Sequence, residues 1–205
     1  MKILCVAKNY ADHAAEMGAP CAPAEPVFFL KPDSALLLRG MPFFYPDFST
    51  DIQYELEVVV RIDRVGKSIQ ERFAHKYYTS VALGIDFTAR DLQRRAKAGG
   101  QPWTVSKGFD GSAALGDFVP LAQLPHDIGN LDFRLLHNGR EVQHGNTRDM
   151  VFSVDRLISH ISHYMLLRTG DLIYTGTPAG VGPVQIGDTL EGFLEGERRL
   201  TCRIK

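Results

Sequence analysis

Two glutamates in a strand-like apolar run constrain this chain more than any other feature. Glu55 and Glu57 alternate with apolar residues in the run from Tyr54 to Val60. In a β-strand, side chains two positions apart lie on one face, so both carboxylates are predicted to share a face, with Leu56 on the other. Neighbouring carboxylates repel each other and are costly to remove from water. A hard divalent cation offsets both costs, so the pattern favours a metal site.

A third carboxylate ends a second apolar run. Residues 81–85 predict a buried strand, which Asp86 follows, and a carboxylate in that place needs a partner. Arg90 or a metal ion can provide one. Ligands that are all oxygen atoms favour magnesium, manganese or calcium over zinc or copper. The alternative interpretation is a Glu-x-Glu pair on a solvated strand face, although Val59 continues that face and makes it less polar.

Length, charge and cysteine content exclude several classes of function. The 205 residues suit one domain with a substantial core. The net charge of -1 gives no reason to expect nucleic acid or an anionic membrane as a partner. No apolar run approaches the roughly 18 residues that a transmembrane helix needs, and residues 1–7 are too few for a signal-peptide core. Three cysteines without paired spacing fit a reducing compartment, so we expect a cytoplasmic protein.

The predicted elements favour an α+β fold, because many short strands accompany few helices. A hairpin is predicted over residues 131–144, with a tight turn at Asn138-Gly139. The helix predicted over 152–166 has apolar residues at helical spacing, which are expected to be buried up to Tyr164 and Met165. Another short helix, at 10–17, precedes a proline-rich loop and has the shape expected of a mobile flap.

Two residues on the predicted flap helix are candidates for proton transfer. His13 and Glu16 lie three positions apart, so their side chains can meet on one helix face. A carboxylate that is hydrogen-bonded to an imidazole fixes its tautomer and raises its basicity. This pair therefore suits a general base that acts on water, although the same spacing also occurs on solvated helix faces.

Cationic residues further along the chain have two interpretations each. Lys107 can stabilise a developing oxyanion or enolate, or it can be an exposed strand lysine whose stem packs on the surface. Arg90 and Gln93 lie three apart on the helix predicted at 88–97. Arg90 can hold a substrate carboxylate through two hydrogen bonds, or it can form a structural ion pair with Asp86 or Asp91.

The glycine-rich segment from Gly170 to Asp188 makes a poor phosphate-binding loop. It lacks the lysine of such a loop, and no helix pattern follows it, so a nucleotide-binding function is disfavoured. A backbone so rich in glycine can approach a ligand closely. The alternative is a set of tight turns between strands.

Taken together, these motifs resemble the fumarylacetoacetate hydrolase superfamily, in its small single-domain branch of acylpyruvate hydrolases and oxaloacetate decarboxylases. The matching blocks occur in the family's order and cover essentially the whole chain. They are Asn9-Tyr10-Ala11-Asp12-His13, Glu16-Met17, Pro26 to Pro32, Glu55-Leu56-Glu57, Asp86 to Gln93, Pro102-Trp103 with Lys107, Asn138-Gly139, and Thr175-Gly176-Thr177-Pro178 through Gly182-Pro183. The block from Asp86 to Gln93 and the Thr-Gly-Thr-Pro block are the most specific.

The resemblance implies a mixed β-roll with a short N-terminal lid helix, in one catalytic domain over residues 1–205. Within it, residues 1–25 would form a strand plus the lid segment, and residues 26–205 the β-roll core. It further implies a homodimer and a Mg²⁺ or Mn²⁺ ion held by Glu55, Glu57 and Asp86.

The remaining roles follow from the same resemblance. Arg90, Gln93 and Thr177 match positions that hold a 2-oxo acid substrate. Lys107 matches a lysine beside the forming enolate. The His13–Glu16 pair matches a lid dyad that orients and deprotonates water.

The implied function is metal-dependent hydrolysis of a carbon–carbon bond in an acylpyruvate-type 2,4-dioxo acid. Oxaloacetate decarboxylation would share a metal-bound enolate with that reaction. The alternatives are a hydratase, isomerase or decarboxylase of 2-hydroxydienoates and 2-oxo acids in aromatic degradation, and a non-enzymatic ligand-binding protein of the same fold.

Overall fold

A computed structural model describes residues 1–11, 23–38 and 40–205 of the chain. His13 and Glu16, and with them most of the predicted flap helix, lie outside the described residues. None of the helices in the described part is long and apolar enough to cross a membrane.

Short strands dominate the described residues. The strands are β1 Ile3–Ala7, β2 Val27–Lys31, β3 Leu36–Leu37, β4 Ile52–Tyr54, β5 Leu56–Arg61, β6 Ser80–Asp86, β7 Thr88–Ala89, β8 Ala113–Leu115, β9 Val119–Pro120, β10 Asp132–His137, β11 Arg140–Asn146, β12 Leu172–Tyr174, β13 Gly182–Pro183, β14 Thr189–Leu194 and β15 Glu197–Arg203. The α-helices are α1 Arg90–Ala98, α2 Thr104–Lys107 and α3 Val154–Tyr164. Turns of 3₁₀ helix occupy Asp33–Ala35, Glu71–Tyr77, Leu121–Gln123, Ile128–Asn130 and Thr147–Asp149.

The strands form one large mixed sheet and two smaller antiparallel sheets. The large sheet has the order β2-β1-β12-β5-β6-β8-β3, with β9 paired to β6. Only its β1–β12 and β3–β8 pairs are parallel among the described strands. The smaller sheets are β11-β10-β14-β15 and β13-β4-β7. This arrangement, with no regular βαβ winding, confirms the α+β class.

The two faces of β5 bury different sets of residues. Leu56, Val58 and Val60 point into the main apolar core. Val59, on the opposite face, belongs to a second, smaller cluster that also contains Tyr174. Glu57 shares the face of Val59, because strand side chains alternate. The large sheet is therefore buried on both faces, and the glutamate face is the one with the smaller apolar cluster.

Two local predictions about turns and helices have different outcomes. Asn138 and Gly139 join β10 to β11 with positive φ values of 52° and 81°, as a tight hairpin turn requires. In α3, Ser153 accepts a hydrogen bond from the Arg156 backbone and caps the helix. The prediction that Tyr164 is buried is wrong, because this residue is 57% exposed. The helix ends beside the edge strand β2, where the Tyr164 ring contacts Phe28 but is not enclosed by the core.

A buried carboxylate joins β1 to the turn before β12. Asp171 accepts backbone hydrogen bonds from Lys2 and Arg168, both of 2.8 Å, and its side chain also forms an ion pair with the Lys2 ammonium. Burial alone would raise the pKa of Asp171, but these hydrogen bonds and the lysine charge hold it below its ordinary value of 3.8. The ionised carboxylate therefore stabilises the fold.

We expect Asp171→Asn to lower the free energy of unfolding at pH 7 by about 1–3 kcal/mol, because hydrogen bonds to a charged group are lost or weakened. The lowered pKa of Asp171 is that of the folded state. The stability that the carboxylate contributes is therefore complete above the pKa of the unfolded state and is lost as the pH falls through the pKa of the folded state. Urea unfolding at pH 7 and pH 3 should show that the difference in free energy of unfolding between the variant and the wild type is smaller at pH 3. The exposed control Asp47→Asn should show no such difference at either pH. A difference for Asp171→Asn that is equal at both pH values would contradict this account.

Candidate active site

Three carboxylates converge where β5 meets β6. Glu55 lies between β4 and β5, Glu57 lies on β5, and Asp86 is the last residue of β6. The register places Glu57 opposite Gly84, and the Asp86 backbone donates to the Glu55 carbonyl at 2.9 Å. One carboxylate oxygen from each residue lies within 4.8 Å of the others. Their exposures are 6%, 1% and 1%, so the predicted metal ligands are brought together in a buried cluster.

Cationic side chains surround this carboxylate cluster. The Lys107 ammonium donates to Glu55 Oε2 and Asp86 Oδ2, each at 2.8 Å. An Arg90 nitrogen donates to Glu55 Oε1 at 2.6 Å, and Lys31 Nζ lies 2.7 Å from Asp86 Oδ1. The cluster is therefore an ion network, in which removal of one partner leaves an uncompensated buried charge.

Lys31 has a place in this network that the sequence reasoning missed. It ends β2, is 2% exposed, and donates to the Phe87 carbonyl at 3.2 Å and to the Ser112 carbonyl and hydroxyl at 2.9 Å. The sequence offered Arg90 or a metal ion as the partner of Asp86. In the described residues Asp86 pairs with Lys31 and Lys107, whereas Arg90 pairs with Glu55. The only signal for Lys31 was its place at the end of an apolar strand, just before a proline.

Arg90 is held by a neighbour on each side. Its Nε donates to Gln53 Oε1 at 2.8 Å, and one terminal nitrogen donates to Gln93 Oε1 at 2.7 Å. The other terminal nitrogen pairs with Glu55, so the ion pair with Asp86 or Asp91 that was considered from the sequence is not the one formed. Arg90 opens α1, whose N-terminal flanking residue is Ala89. The arginine and Gln93 are consequently fixed beside the carboxylates.

Lys107 lies on α2 and not on an exposed strand. It is 2% exposed. Burial by itself lowers the pKa of Lys107, but the negative charges of Asp86 and Glu55 outweigh that effect and raise it above its ordinary value. The ammonium is therefore charged at neutral pH and fixed against two of the predicted ligands.

The glycine-rich segment approaches the cluster through its backbone. The Gly176 N–H donates to Glu57 Oε2 at 2.6 Å. Gly176 has a φ of 102°, and a Cβ there would lie 2.8 Å from Asn9 Cβ, so a larger residue would displace the loop. Burial raises the pKa of Glu57, and the neighbouring charges of Asp86 and Glu55 raise it further. A cation bound at this carboxylate would relieve both effects.

A buried glutamine links Thr177 to β5. Gln143 Oε1 accepts from the Leu56 backbone at 2.9 Å, and its Nε2 donates to Thr177 Oγ1 at 2.9 Å and to the Pro178 carbonyl at 3.0 Å. Because Thr177 accepts this bond, its own hydroxyl hydrogen can be donated to a ligand. Gln143 lies in β11 of a different sheet, and no sequence pattern pointed to it.

One pocket opens onto these groups. Its lining includes seven of the predicted site residues, namely Glu55, Glu57, Asp86, Arg90, Gln93, Lys107 and Thr177. Phe29 and Trp103 add half-buried aromatic walls, and Lys8 and Lys97 add exposed ammonium groups. His13 and Glu16 lie outside the described residues, so their predicted relation to this pocket stays a prediction.

The donor set fits a hard divalent cation. All three groups in the cluster offer carboxylate oxygens, the chemistry that Mg²⁺ and Mn²⁺ prefer. Asp86 Oδ1 is buried and makes no hydrogen bond within the described residues, although Lys31 Nζ is close to it. Beyond its ion pair with Lys31, this carboxylate oxygen has a lone pair left that a bound ion could use.

Known proteins match nearly the whole chain. A family model described as "Fumarylacetoacetate (FAA) hydrolase C-terminal" matches residues 2–205. A Bos taurus protein named "Oxaloacetate tautomerase FAHD1, mitochondrial" is 42% identical over 203 residues, which cover 99% of this chain and 91% of that protein. A Dictyostelium discoideum protein named "Oxaloacetate decarboxylase, mitochondrial" is 43% identical over 196 residues, which cover 95% of this chain and 89% of that protein.

A solved structure also matches the whole chain. The structure of fumarylpyruvate hydrolase from Pseudomonas aeruginosa in complex with Mn²⁺ and pyruvate matches with a TM-score of 0.92 at 35% identity. The match covers 100% of this chain and 89% of that chain. The relatives thus share a fold and a family while their names give different reactions of 2-oxo acids.

We expect Gln143→Met to lower the free energy of unfolding by about 2–4 kcal/mol. The substitution keeps the side-chain length but leaves the Leu56 N–H and the Pro178 carbonyl without their partners, and each buried unpaired group costs about 1–3 kcal/mol. Urea unfolding measures the change, with the exposed Gln123→Met as the matched control. Equal stability of the two variants would show that the Gln143 hydrogen bonds do not hold the loop to β5.

Proposed function

The chain belongs to the fumarylacetoacetate hydrolase family, and on that basis we propose that it hydrolyses a carbon–carbon bond of an acylpyruvate-type 2,4-dioxo acid with the help of Mg²⁺ or Mn²⁺. Oxaloacetate decarboxylation is the second reaction that we assign to the same site. The observation that carries the proposal is the convergence of three buried carboxylates within 4.8 Å in a pocket that also contains fixed cations.

The metal would be held by Glu55, Glu57 and Asp86. When bound, it would supply Lewis-acid polarisation of the keto oxygen of a 2-oxo acid. The cluster contains three carboxylates, and two of them, Glu55 and Asp86, form ion pairs with Lys31, Arg90 and Lys107. A divalent ion therefore leaves the site with excess positive charge, which favours an anionic substrate.

Lys107 has two tasks in this scheme. Its ammonium contacts the same Glu55 and Asp86 carboxylates that would bind the ion, so ion and ammonium compete for them. The Lys107 ammonium can also stabilise the oxygen of an enolate by charge and hydrogen bonding. The burial of Lys107 strengthens that interaction, because few water molecules screen it.

Two neutral side chains present fixed hydrogen-bond donors to the substrate carboxylate. Gln93 Oε1 is occupied by Arg90, so the Gln93 amide offers Nε2–H as its donor. Thr177 Oγ1 is occupied by Gln143, so the hydroxyl offers its hydrogen. Arg90 acts here by positioning Gln93 and by adding charge. Donors that are already oriented need little rearrangement when substrate binds.

Hydrolysis needs a base, which we assign to His13 oriented by Glu16. His13 would take a proton from water, and the hydroxide would attack the distal carbonyl. Cleavage of the adjacent carbon–carbon bond then releases a carboxylic acid and the enolate of pyruvate, which is protonated to pyruvate. Oxaloacetate reaches the same enolate by losing carbon dioxide, without attack by water.

Keto–enol tautomerisation of oxaloacetate is the alternative to this main proposal. It is favoured by the name of the Bos taurus relative and by the shared need for an enolate-stabilising site. Side-by-side assays of acetylpyruvate cleavage, oxaloacetate decarboxylation, oxaloacetate tautomerisation and turnover of a 2-hydroxydienoate separate this function from the main proposal and from an isomerase or hydratase.

We expect Glu57→Ala to weaken Mn²⁺ binding by about 100-fold or more, since even residues outside the ligand set change metal affinity by 10–100-fold. Isothermal titration with Mn²⁺ measures binding, and both enolate-forming activities should be lost together. Glu71→Ala, at an exposed glutamate, serves as the control. Normal Mn²⁺ affinity in the Glu57 variant would remove this residue from the ligand set.

His13→Ala should separate the two reactions. Acylpyruvate hydrolysis should fall by about 10²–10⁴-fold, the usual contribution of a general base. Oxaloacetate decarboxylation and Mn²⁺ affinity should change little, because neither needs activated water. Steady-state assays with both substrates measure the split, and the exposed His75→Ala is the control. Full retention of hydrolysis would exclude the His13 dyad from the mechanism.

A further inference from the structure

The side chain of Asn9 is buried between two loops near the carboxylate cluster. Its Nδ2 donates to the Thr175 carbonyl at 2.8 Å and to the Phe152 carbonyl at 3.1 Å, and its Oδ1 accepts from the Phe152 N–H at 2.8 Å. Asn9 is 0% exposed. Both N–H donors and the oxygen of this amide therefore have partners, so any contribution of Asn9 to function must pass through them.

One of these partners belongs to a peptide group that contacts a predicted metal ligand. The Thr175 carbonyl and the Gly176 N–H are the two ends of one trans peptide group and point in opposite directions. The Gly176 N–H donates to Glu57 Oε2 at 2.6 Å. A continuous chain of hydrogen bonds therefore runs from the Asn9 amide through this peptide group to the Glu57 carboxylate. Hydrogen bonds in such a chain polarise one another.

Unusual backbone conformations occur on both sides of this contact. Gly176 has a φ of 102°, and a Cβ on it would lie 2.8 Å from Asn9 Cβ. Lys8, between β1 and Asn9, has a φ of 60°, which a residue with a Cβ rarely adopts. The chain turns there, and Tyr10 then forms an isolated bridge with Met150. Such conformations are concentrated at functional sites, and these two bring Asn9 and Gly176 together.

A purely structural role for Asn9 would be to attach the Thr175 loop to the sheet. That loop is already attached, because the N–H and the hydroxyl of Thr175 both donate to the Val58 carbonyl, at 3.1 and 2.8 Å. The two hydrogen bonds between Asn9 and Phe152 likewise do not involve the loop. What the Asn9–Thr175 hydrogen bond adds is control over the rotation of one peptide plane, the plane that carries the Gly176 N–H.

We propose that Asn9 is a positioning residue for Glu57. It fixes the peptide group between residues 175 and 176, so that the Gly176 N–H holds one oxygen of the Glu57 carboxylate and orients this group for the metal ion. The lysines and the arginine of the cluster form their ion pairs with Glu55 and Asp86, whereas Glu57 is held by the Gly176 N–H. This inference rests on the proposed function, because it takes Glu57 to be a metal ligand.

The test measures Mn²⁺ binding to the full chain by isothermal titration, so it does not depend on which reaction is catalysed. Asn9→Leu keeps nearly the same side-chain shape and removes all three hydrogen bonds of the amide. Loss of the groups that orient a metal ligand weakens metal binding by about 10–100-fold, and we expect that loss here. Asn9→Ala removes the same hydrogen bonds with a smaller side chain, should show the same loss, and provides a second variant if the leucine does not fit.

Thr175→Val is the matched control. It removes the buried hydrogen bond from the Thr175 hydroxyl to Val58 but leaves the Thr175 carbonyl available to Asn9. It should lower the urea midpoint, as Asn9→Leu does, while Mn²⁺ affinity stays close to that of wild type. The Gly176 amide proton in the magnetic resonance spectrum of the metal-free protein reports the hydrogen bond to Glu57. It should move upfield in the Asn9 variants, because a weaker hydrogen bond leaves the proton more shielded, and should stay in place in the control.

Three results would overturn the inference while the metal site itself stands. These are unchanged Mn²⁺ affinity in the Asn9 variants, an unchanged Gly176 amide proton in them, and an equal loss of affinity in Thr175→Val, which would indicate general loosening of the loop. A wild-type protein that does not bind Mn²⁺ would overturn the proposed function together with this inference. Weaker Mn²⁺ binding in the Asn9 variants alone, with the shifted amide proton, supports the positioning role even if acylpyruvates are not cleaved.

Discussion

The site depends on the burial of like charges at one place in a sheet. Glu57 and Asp86 are each 1% exposed, and the antiparallel register of β5 and β6 leaves them no freedom to separate. Their repulsion raises the pKa of Glu57, in addition to the effect of burial. Positive charge stabilises the cluster: Lys31 from β2 and Lys107 from α2 provide it at Asp86, and Lys107 and Arg90, the latter from α1, provide it at Glu55. Glu57 accepts a hydrogen bond from the Gly176 N–H instead. The packing of those elements on the large sheet is therefore coupled to the chemistry of the cluster.

The burial of these charges also explains why the polar groups around the cluster make so many hydrogen bonds. Arg90 engages Gln53, Gln93 and Glu55, and Gln143 spans from β11 to Leu56 and the Thr177 loop. A polar group without a partner in this buried site would cost far more free energy than one at the surface. The result is a site whose neutral donors are oriented before any ligand arrives.

Periodicity and local turn chemistry predicted the parts of the structure that depend on neighbouring residues. The shared face of Glu55 and Glu57 and the Asn138-Gly139 turn follow from two-residue alternation and from positive φ at the turn. Lys31 and Gln143 could not be predicted in this way, since their partners are 34 to 87 residues away in the sequence. Tyr164 matched the helical period but lies at the end of the helix beside an edge strand, where the period no longer determines burial.

Charge also changes along the pocket, and this gradient gives a ligand a direction. Carboxylates at the base attract a cation, whereas Lys8 and Lys97 at the mouth repel one. Gln93 and Lys97 lie on one face of α1 and both line the pocket, so a single helix positions a neutral donor near the carboxylates and a cation farther out.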